Sequence, residues 1–357
     1  MNPVTRLHEF GQSLWLDNIT RKMLDIGQIQ RYIDDYCVTG LTSNPSIFDN
    51  AIATGDYNDS IRELEARGLS AEETFFDVAI DDLRRAADLF AKIHQRTDGV
   101  DGWVSLEVSP LLAYDTAKTV EAAKALHTHA DRHNLFIKIP GTPEGLPAIE
   151  ECIASGVPVN VTLLFHVDQY RAAAEAYLRG IERRVANGLN PAVGSVASLF
   201  ISRWDSAVAT SAPAELHNRL GLAIGNETYR AYVELMQSER FQRLANCGAR
   251  MQRLLWASTK TKDPLAPDTL YVQGLAAPFT INTMPDTTLE AFFDHGKINA
   301  SLERDGGGYL AELKKFTDAG IDVSELALRL QREGAGSFVD SWNSLLSKID
   351  DQKKTLR

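Results

Sequence analysis

The chain has 357 residues, a formal net charge of −11, 44% hydrophobic residues and 24% charged residues. This composition is typical of a soluble globular protein, and the acidic balance disfavours nonspecific binding to nucleic acid. No apolar run approaches the roughly 18–20 residues of a membrane span, and the first ten residues lack the basic segment and apolar core of a signal peptide. The three cysteines have no metal-ligand spacing, which favours a reducing, cytoplasmic location over a disulfide framework or a zinc site.

Short apolar runs alternate along the chain with longer segments of helical period. The candidate strands are 13–17, 37–42, 103–108, 135–139, 157–162, 193–198, 253–258 and 269–273. Segments such as 72–96 and 165–187 repeat their apolar residues at helical spacing. This alternation predicts parallel strands with helical crossovers. Eight such repeats predict an α/β fold of the (β/α)8 TIM barrel type, for which about 250 residues are typical.

The chain is longer than such a barrel requires, and the surplus falls into three segments of a single predicted domain, 1–357. These are the connection 43–102, a helical insertion at about 206–250 and a C-terminal helical tail at about 323–357. The tail carries apolar residues that we expect to pack over the barrel, namely Leu326, Leu330, Phe338, Trp342, Leu345 and Ile349. The sequence does not determine the oligomeric state, but the insertion and the tail are candidate contacts of a homodimer.

A lysine interrupts one of the apolar runs. Lys138 lies in Leu135-Phe136-Ile137-Lys138-Ile139-Pro140-Gly141-Thr142, which is typical of a buried strand. Burial of an ammonium group costs several kcal/mol unless the group is paired or neutralised. Desolvation lowers the pKa of a lysine, and the neutral amine can attack a carbonyl carbon. The alternative is a lysine at a strand end whose amine extends into solvent.

Polar or ionisable residues recur at the ends of the predicted strands. In chain order they are Asp17, Thr42, Asn44, Glu107, Lys138, Asn160, Thr162, Ser198 and Ser258. In a (β/α)8 barrel the carboxyl ends of the strands line the active site. We therefore favour a convergent catalytic site over independent capping of separate strands.

These residue types fit the chemistry of a lysine that condenses with a ketone. The resulting iminium ion stabilises a neighbouring carbanion, so that a carbon–carbon bond can break or form. Glu107 and Thr162 could relay the proton of the water that leaves and returns, and Asp17 could take the proton from the substrate hydroxyl. Asn44 and Asn160 could orient the substrate by hydrogen bonds. None of these steps needs a metal or an organic cofactor.

Several of these residues lie in segments that resemble those of the transaldolase family, and the long form with extra helical segments matches best. The segments are Thr39-Gly40-Leu41-Thr42-Ser43-Asn44-Pro45-Ser46, Ser105-Leu106-Glu107-Val108, Phe136-Ile137-Lys138-Ile139-Pro140-Gly141-Thr142, Val159-Asn160-Val161-Thr162-Leu163-Leu164-Phe165 and Trp256-Ala257-Ser258. They occur in the family's order and at compatible spacings, from about residue 10 to the C-terminal region.

The resemblance implies a class I aldolase-type enzyme of the pentose phosphate pathway. Its reaction reversibly moves a dihydroxyacetone unit from sedoheptulose 7-phosphate to glyceraldehyde 3-phosphate, giving erythrose 4-phosphate and fructose 6-phosphate. By motif position, Lys138 forms the Schiff base, Asp17 is the acid and base at the cleaved bond, and Glu107 with Thr162 handles the catalytic water. The implied substrate-binding residues are Thr42, Asn44, Asn160, Ser198, Phe200, Arg203, Ser258 and Lys260.

The resemblance places the substrate phosphate on Arg203, whose planar fork suits phosphate. The alternative is an ion pair between Arg203 and Asp205 or another acid. Shorter family members carry a second arginine two residues after the serine that corresponds to Ser258. Here that position is Lys260, and Lys262 is a second candidate for the same contact.

Two other functions are compatible with these residues. The first is an aldolase of the same architecture that releases free dihydroxyacetone, as fructose 6-phosphate aldolases do; the carboxylate of Glu107 and the long chain favour transfer. The second is a catalytically silent barrel that binds sugar phosphates as a sensor or scaffold, in which Lys138 would be protonated or misplaced.

Overall fold

The computed structural model describes residues 2–298 and 300–356. Within them, eight strands form one parallel sheet in the order β2-β1-β8-β7-β6-β5-β4-β3. The strands are β1 (Ser13–Leu16), β2 (Val38–Leu41), β3 (Val104–Glu107), β4 (Leu135–Pro140), β5 (Val159–Leu164), β6 (Ser195–Phe200), β7 (Gln252–Ala257) and β8 (Ile281–Met284). Two backbone hydrogen bonds join β2 to the residues just before β3: Gly102 N–H donates to Thr39 O and Leu41 N–H to Trp103 O, both at 2.9 Å. The sheet thus closes into the predicted (β/α)8 barrel.

Helices connect successive strands and cover the outside of the barrel. The first six are α1 (Pro3–Glu9), α2 (Arg21–Asp25), α3 (Gln28–Tyr36), α4 (Pro45–Ile52), α5 (Asn58–Ala66) and α6 (Ala71–Arg96). The next six are α7 (Thr116–Ala130), α8 (Gly145–Ser155), α9 (Val167–Ala186), α10 (Ser202–Val208), α11 (Leu220–Gln237) and α12 (Glu239–Asn246). The last four are α13 (Leu270–Gly274), α14 (Asp286–His295), α15 (Tyr309–Asp318) and α16 (Val323–Leu356). No helix in this part of the chain is both long and apolar enough to cross a membrane.

The prediction of the eighth strand at 269–273 is wrong. That segment forms the short helix α13, in which Tyr271 is buried and donates its hydroxyl to Asp205 Oδ2 at 2.8 Å. The eighth strand lies about ten residues later and carries Asn282 and Thr283, which are polar but buried. Because of these polar residues, the strand does not stand out as an apolar run. The residues of 269–273 do form such a run and have a high propensity for β-strands, although they are helical here.

The three predicted surplus segments contain helices. The connection 43–102 holds α4, α5 and α6, and the insertion about 206–250 holds α11, α12 and the last three residues of α10. The tail about 323–357 corresponds to α16, which packs on α4, α5 and α6. Positions 1, 299 and 357 of the predicted domain lie outside the described residues.

The register of the central strands aligns three polar residues. Glu107 on β3 pairs with Lys138 on β4, and Lys138 pairs in turn with Asn160 on β5. All three are buried. Because side chains alternate between the two faces of a strand, this register places the three side chains at one level inside the barrel.

A second buried polar network lies near the starts of the strands. Trp15 Nε1 donates to Asp101 Oδ1 at 2.8 Å, and Arg253 Nη2 donates to Ser13 Oγ at 2.7 Å. Gly40 is required beside this network, because an added Cβ would lie 2.6 Å from the Trp15 indole. In barrels of this type, this end supports stability and the opposite end carries the chemistry.

Candidate active site

Lys138 is the central feature of the carboxyl end of the barrel. It is only 5% exposed, its Nζ lies 3.3 Å from Glu107 Oε2, and it donates a hydrogen bond to Ser43 O at 2.9 Å. The alternative in which the amine extends into bulk solvent is therefore wrong. Among the described residues, the carboxylate of Glu107 and the carbonyl oxygen of Ser43 hold the amine in place at the border of a cavity.

Glu107 lies beside the amine, and Thr162 lines the same cavity. Apart from the ion pair to Lys138, neither carboxylate oxygen of Glu107 has a hydrogen-bond partner among the described residues, and the same is true of Thr162 Oγ1. Burial raises the pKa of Glu107, the charge of Lys138 opposes this, and the charge of Asp17 adds to it. A buried carboxyl group with a raised pKa next to an amine is suited to exchange protons with it.

Asp17 follows β1 and lies at the end of a chain of hydroxyl groups. Thr42 Oγ1 donates to Asp17 Oδ1 at 2.7 Å. Because the one hydroxyl hydrogen of Thr42 is used there, the 2.7 Å contact with Thr283 has Thr283 as its donor. Burial raises the pKa of Asp17, whereas the charge of Lys138 and the Thr42 hydrogen bond lower it. The hydroxyl chain thus stabilises the ionised carboxylate.

Amide and hydroxyl groups fix the floor and one side of the cavity. Ser198 Oγ donates to Asn160 Oδ1 at 2.7 Å, and Asn160 Nδ2 donates to Ser105 Oγ at 3.2 Å. Asn44 caps α4, since its Oδ1 accepts from Ile47 N–H at 3.0 Å. The cap leaves the NH₂ group of Asn44 as the part that a ligand can use.

Arg203 lies at the start of α10 and faces the cavity. Its Cζ is 5.4 Å from the centroid of the Phe200 ring, and burial lowers its pKa, with Glu333 opposing. It forms no ion pair with any described residue. The predicted alternative partner, Asp205, instead accepts hydrogen bonds from the backbone of α11 and from Tyr271. Arg203 is therefore a cation that is available to an anionic ligand.

Two lysines extend this positive region. Lys260 and Lys262 both line the same cavity as Arg203. Partial burial lowers the pKa of Lys262, and the charges of Lys260 and Arg203 lower it further. The chain turns here at Ser258, whose φ is +56° and whose Oγ lies 3.0 Å from Ser202 Oγ. The structure thus brings both lysines to the cavity and does not distinguish them as phosphate ligands.

The cavity has a volume of about 240 Å³, and most of the predicted site residues line it. The predicted residues that line it are Asp17, Thr42, Asn44, Lys138, Thr162, Ser198, Phe200, Arg203, Ser258 and Lys260. The other two, Glu107 and Asn160, lie directly behind this lining, in contact with Lys138 and Ser198.

Sequence reasoning missed five of the residues that line the cavity: Ser46, Ala257, Thr283, Pro285 and Phe338. Ser46 follows the Asn44-Pro45 pair and could have been found as part of the same strand end. Thr283 belongs to the strand that was placed wrongly, and Pro285 directly follows that strand. Phe338 was expected to pack over the barrel, but nothing in its neighbourhood along the chain indicated that it borders the site.

The geometry of the site defines a class of enzyme. A buried amine, two carboxyl groups and a guanidinium without an ion pair to any described residue meet at the carboxyl end of a (β/α)8 barrel, which is an arrangement for covalent chemistry on an anionic carbonyl compound. Within the described residues, no group of three or more histidine, cysteine, aspartate or glutamate side chains is placed to hold a metal ion.

Comparison with known proteins places the chain in a family. The sequence model described as Transaldolase/Fructose-6-phosphate aldolase matches residues 14–349, and the chain belongs to this family. It is 44% identical to the transaldolase of Thermobifida fusca (strain YX) over 98% of both chains. It is 43% identical to that of Parafrankia sp. (strain EAN1pec), again over 98% of both chains. It is 42% identical to that of Thiobacillus denitrificans (strain ATCC 25259 / T1), over 98% of this chain and 100% of the relative.

Proposed function

We propose that this protein is a transaldolase, a transferase of the pentose phosphate pathway. It would reversibly transfer a dihydroxyacetone unit from sedoheptulose 7-phosphate to glyceraldehyde 3-phosphate, giving erythrose 4-phosphate and fructose 6-phosphate. The observation that carries the proposal is the buried Lys138 amine, 3.3 Å from Glu107 and at the edge of a cavity that Asp17 also lines. The names of full-length relatives support the same activity.

The first step in this proposal is condensation of Lys138 with the substrate ketone. The amine adds to the carbonyl carbon to give a carbinolamine, whose hydroxyl group must be protonated before it leaves as water. The carboxyl group of Glu107 and the hydroxyl of Thr162 have unpaired polar atoms facing this region, which supports their role in delivering and recovering that proton. Glu107 suits the role because burial raises its pKa.

The second step breaks the carbon–carbon bond. Asp17 accepts the proton of the substrate hydroxyl, the bond electrons flow into the iminium group, and the aldehyde product leaves. The dihydroxyacetone unit remains on Lys138 as an enamine, which then attacks the acceptor aldehyde as Asp17 returns its proton. The hydrogen bond from Thr42 holds one oxygen of Asp17, so that the other is directed to the substrate.

The remaining polar residues would position the two ends of the sugar. We assign the hydroxyl groups of the dihydroxyacetone portion to Asn44 and Ser198, which line the cavity, and to Asn160, which lies directly behind Ser198. We assign the phosphate to Arg203 and to Lys260 or Lys262. A charge-assisted hydrogen bond from arginine to phosphate is about twice as strong as a neutral one.

The family also includes fructose 6-phosphate aldolase, and an assay separates the two activities. With fructose 6-phosphate as donor, a transaldolase forms sedoheptulose 7-phosphate or its equivalent only when an acceptor aldehyde is present. Rapid release of free dihydroxyacetone without an acceptor would instead identify an aldolase.

Borohydride reduction tests the nucleophile, the substrate class and the mechanism together. In the presence of fructose 6-phosphate, we expect a stable adduct of one reduced dihydroxyacetone unit on Lys138, located by peptide mass spectrometry. Lys138→Ala should give no adduct and no turnover while its circular dichroism stays unchanged. If the wild-type protein carries no adduct after reduction, the proposal is wrong, and a catalytically silent barrel that binds sugar phosphates is favoured.

Two further properties follow the same proposal. We place the enzyme in the cytoplasm, where its sugar-phosphate substrates are, and we propose a homodimer with contacts through α11, α12 or α16. Light scattering coupled to gel filtration measures the mass of the protein directly. A monomeric mass at micromolar concentration would contradict the proposed homodimer.

A further inference from the structure

One face of α16 lies over the carboxyl end of the barrel. Gln331 Nε2 donates to the carbonyl oxygens of Gly141 and Leu163, both at 3.0 Å. One turn later, an added Cβ on Gly334 would lie 3.3 Å from Arg203 Nη1. Residues three, four and seven positions apart share a face of a helix, so that this face continues from Gly334 to Phe338 and Ser341.

Phe338 is the residue of this face that borders the cavity. It is 5% exposed and lines the cavity together with Ser46. Ser46 Oγ lies 2.7 Å from Ser341 Oγ, one turn beyond Phe338. The ring is therefore held between the Gln331 contacts on one side and the Ser341 contact on the other.

The helix is anchored independently of that ring. Lys348 Nζ lies 2.8 Å from Asp49 Oδ1 on α4, and Ser344 Oγ donates to the same carboxylate at 3.0 Å. Further along, Lys353 Nζ donates to Leu69 O at 2.6 Å. Because these contacts do not involve Phe338, a smaller side chain at 338 should open the cavity without releasing α16.

Access of water to the cavity matters because water competes with the acceptor aldehyde. If Asp17 returns its proton to the enamine carbon, the enamine on Lys138 becomes an iminium ion. Addition of one water molecule to the C=N carbon and cleavage of the C–N bond then give free dihydroxyacetone and regenerate the amine. Transfer instead forms a new carbon–carbon bond to the aldehyde, and the iminium ion that results is hydrolysed in the same way, so that the two routes divide at the enamine.

We propose that Phe338 sets the ratio of transfer to hydrolysis, by filling the α16 side of the cavity and keeping bulk water from the Lys138 intermediate. This inference rests on the proposed transaldolase function. Phe338 is a specificity-determining residue in this view, since it has no proton to exchange and no polar contact to make with substrate. One further water beside the intermediate needs only about 10–15 Å³, and loss of most of the ring provides that space on the α16 side of the cavity.

The test is a graded series, Phe338→Leu, Phe338→Val and Phe338→Ala, in the full-length protein. Two rates are measured for each variant: transfer from fructose 6-phosphate to erythrose 4-phosphate, and release of dihydroxyacetone from fructose 6-phosphate alone. We expect the ratio of release to transfer to rise along the series, reaching about tenfold for Phe338→Ala, which corresponds to about 1.4 kcal/mol between the two barriers. If the alanine variant does not fold, the valine variant carries the test.

Ser344→Ala is the matched control, because it removes an anchor of α16 outside the cavity and should leave the ratio unchanged. An unchanged ratio in all three Phe338 variants, or an equal rise in Ser344→Ala, would overturn the inference while leaving transfer by the wild-type protein intact. If the wild-type protein shows no transfer and no borohydride adduct, it is the proposed function that fails.

Discussion

The hydroxyl chain that ends on Asp17 leads to a prediction about the pH dependence of the reaction. Thr42→Val keeps the shape of the side chain and removes the donor that lies 2.7 Å from Asp17 Oδ1. That donor lowers the pKa of Asp17, in opposition to the burial that raises it. In the variant, the raising effect of burial is opposed by the charge of Lys138 alone.

The size of the effect follows from the energy of the lost hydrogen bond. A hydrogen bond to a charged group contributes about 1.5–3 kcal/mol, and about 1.4 kcal/mol corresponds to one pH unit. Asp17 must be ionised to accept the hydroxyl proton, so a higher pKa means that activity is lost earlier as the pH falls. We therefore expect the midpoint of the acid limb to move upward by about one to two pH units.

The assay is kcat/KM for fructose 6-phosphate and erythrose 4-phosphate across the acid limb, with thermal unfolding to show that the variant is folded. Thr283→Val is the matched control, because it leaves the bond between Thr42 and Asp17 in place and should shift the midpoint less. A midpoint that stays in place in Thr42→Val, or moves to lower pH, would refute the assignment of Asp17 as the base.

Three further predictions concern binding and stability. Arg203→Met should raise KM for fructose 6-phosphate by about tenfold to a hundredfold, through loss of a charged hydrogen bond, with KM for unphosphorylated fructose unchanged; equal losses for both sugars would contradict a phosphate role. Gly40→Ala should lower the free energy of unfolding by about 1–3 kcal/mol, because the new methyl group would overlap the Trp15 indole; an unchanged urea midpoint would show that the indole can move. Arg240→Met removes ion pairs from α12 to two carboxylates of α9 and should lower the free energy of unfolding by about 1 kcal/mol at low salt. The decrease should be smaller in 1 M sodium chloride. A decrease that does not depend on salt would indicate lost packing instead.

Much of the barrel is encoded in local pattern and could be predicted. Strands such as β4 and β5 are buried on both faces, so each is a continuous apolar run that carries one or two functional polar residues. Those interruptions, at Lys138 and Asn160, are conspicuous because burial of an unneeded polar group is costly. The eighth strand was not predicted because it is not a continuous apolar run: Asn282 and Thr283 are two of its four residues.

The side of the cavity that α16 forms could not be predicted from the local sequence pattern. The apolar spacing of α16 indicates which face packs inward, but not which part of the barrel it meets. Phe338 reaches the cavity because Gln331 bonds to carbonyl groups about 170 to 190 positions earlier in the chain, and no local signal encodes that pairing. The same limit applies to Lys260 and Lys262, whose shared position near Arg203 depends on how the segment after β7 turns.

The pairing of β3, β4 and β5 ties the reactivity of the enzyme to the accuracy of its assembly. If β4 were to slip by one residue, Ile137 or Ile139 would face Glu107 and the amine would turn toward the surrounding helices. Such a misassembled barrel could still be apolar inside and well covered outside, yet it would have no nucleophile. For this chain, a shift of one residue in the alignment of β4 would have the same effect on the site as replacing Lys138 by isoleucine.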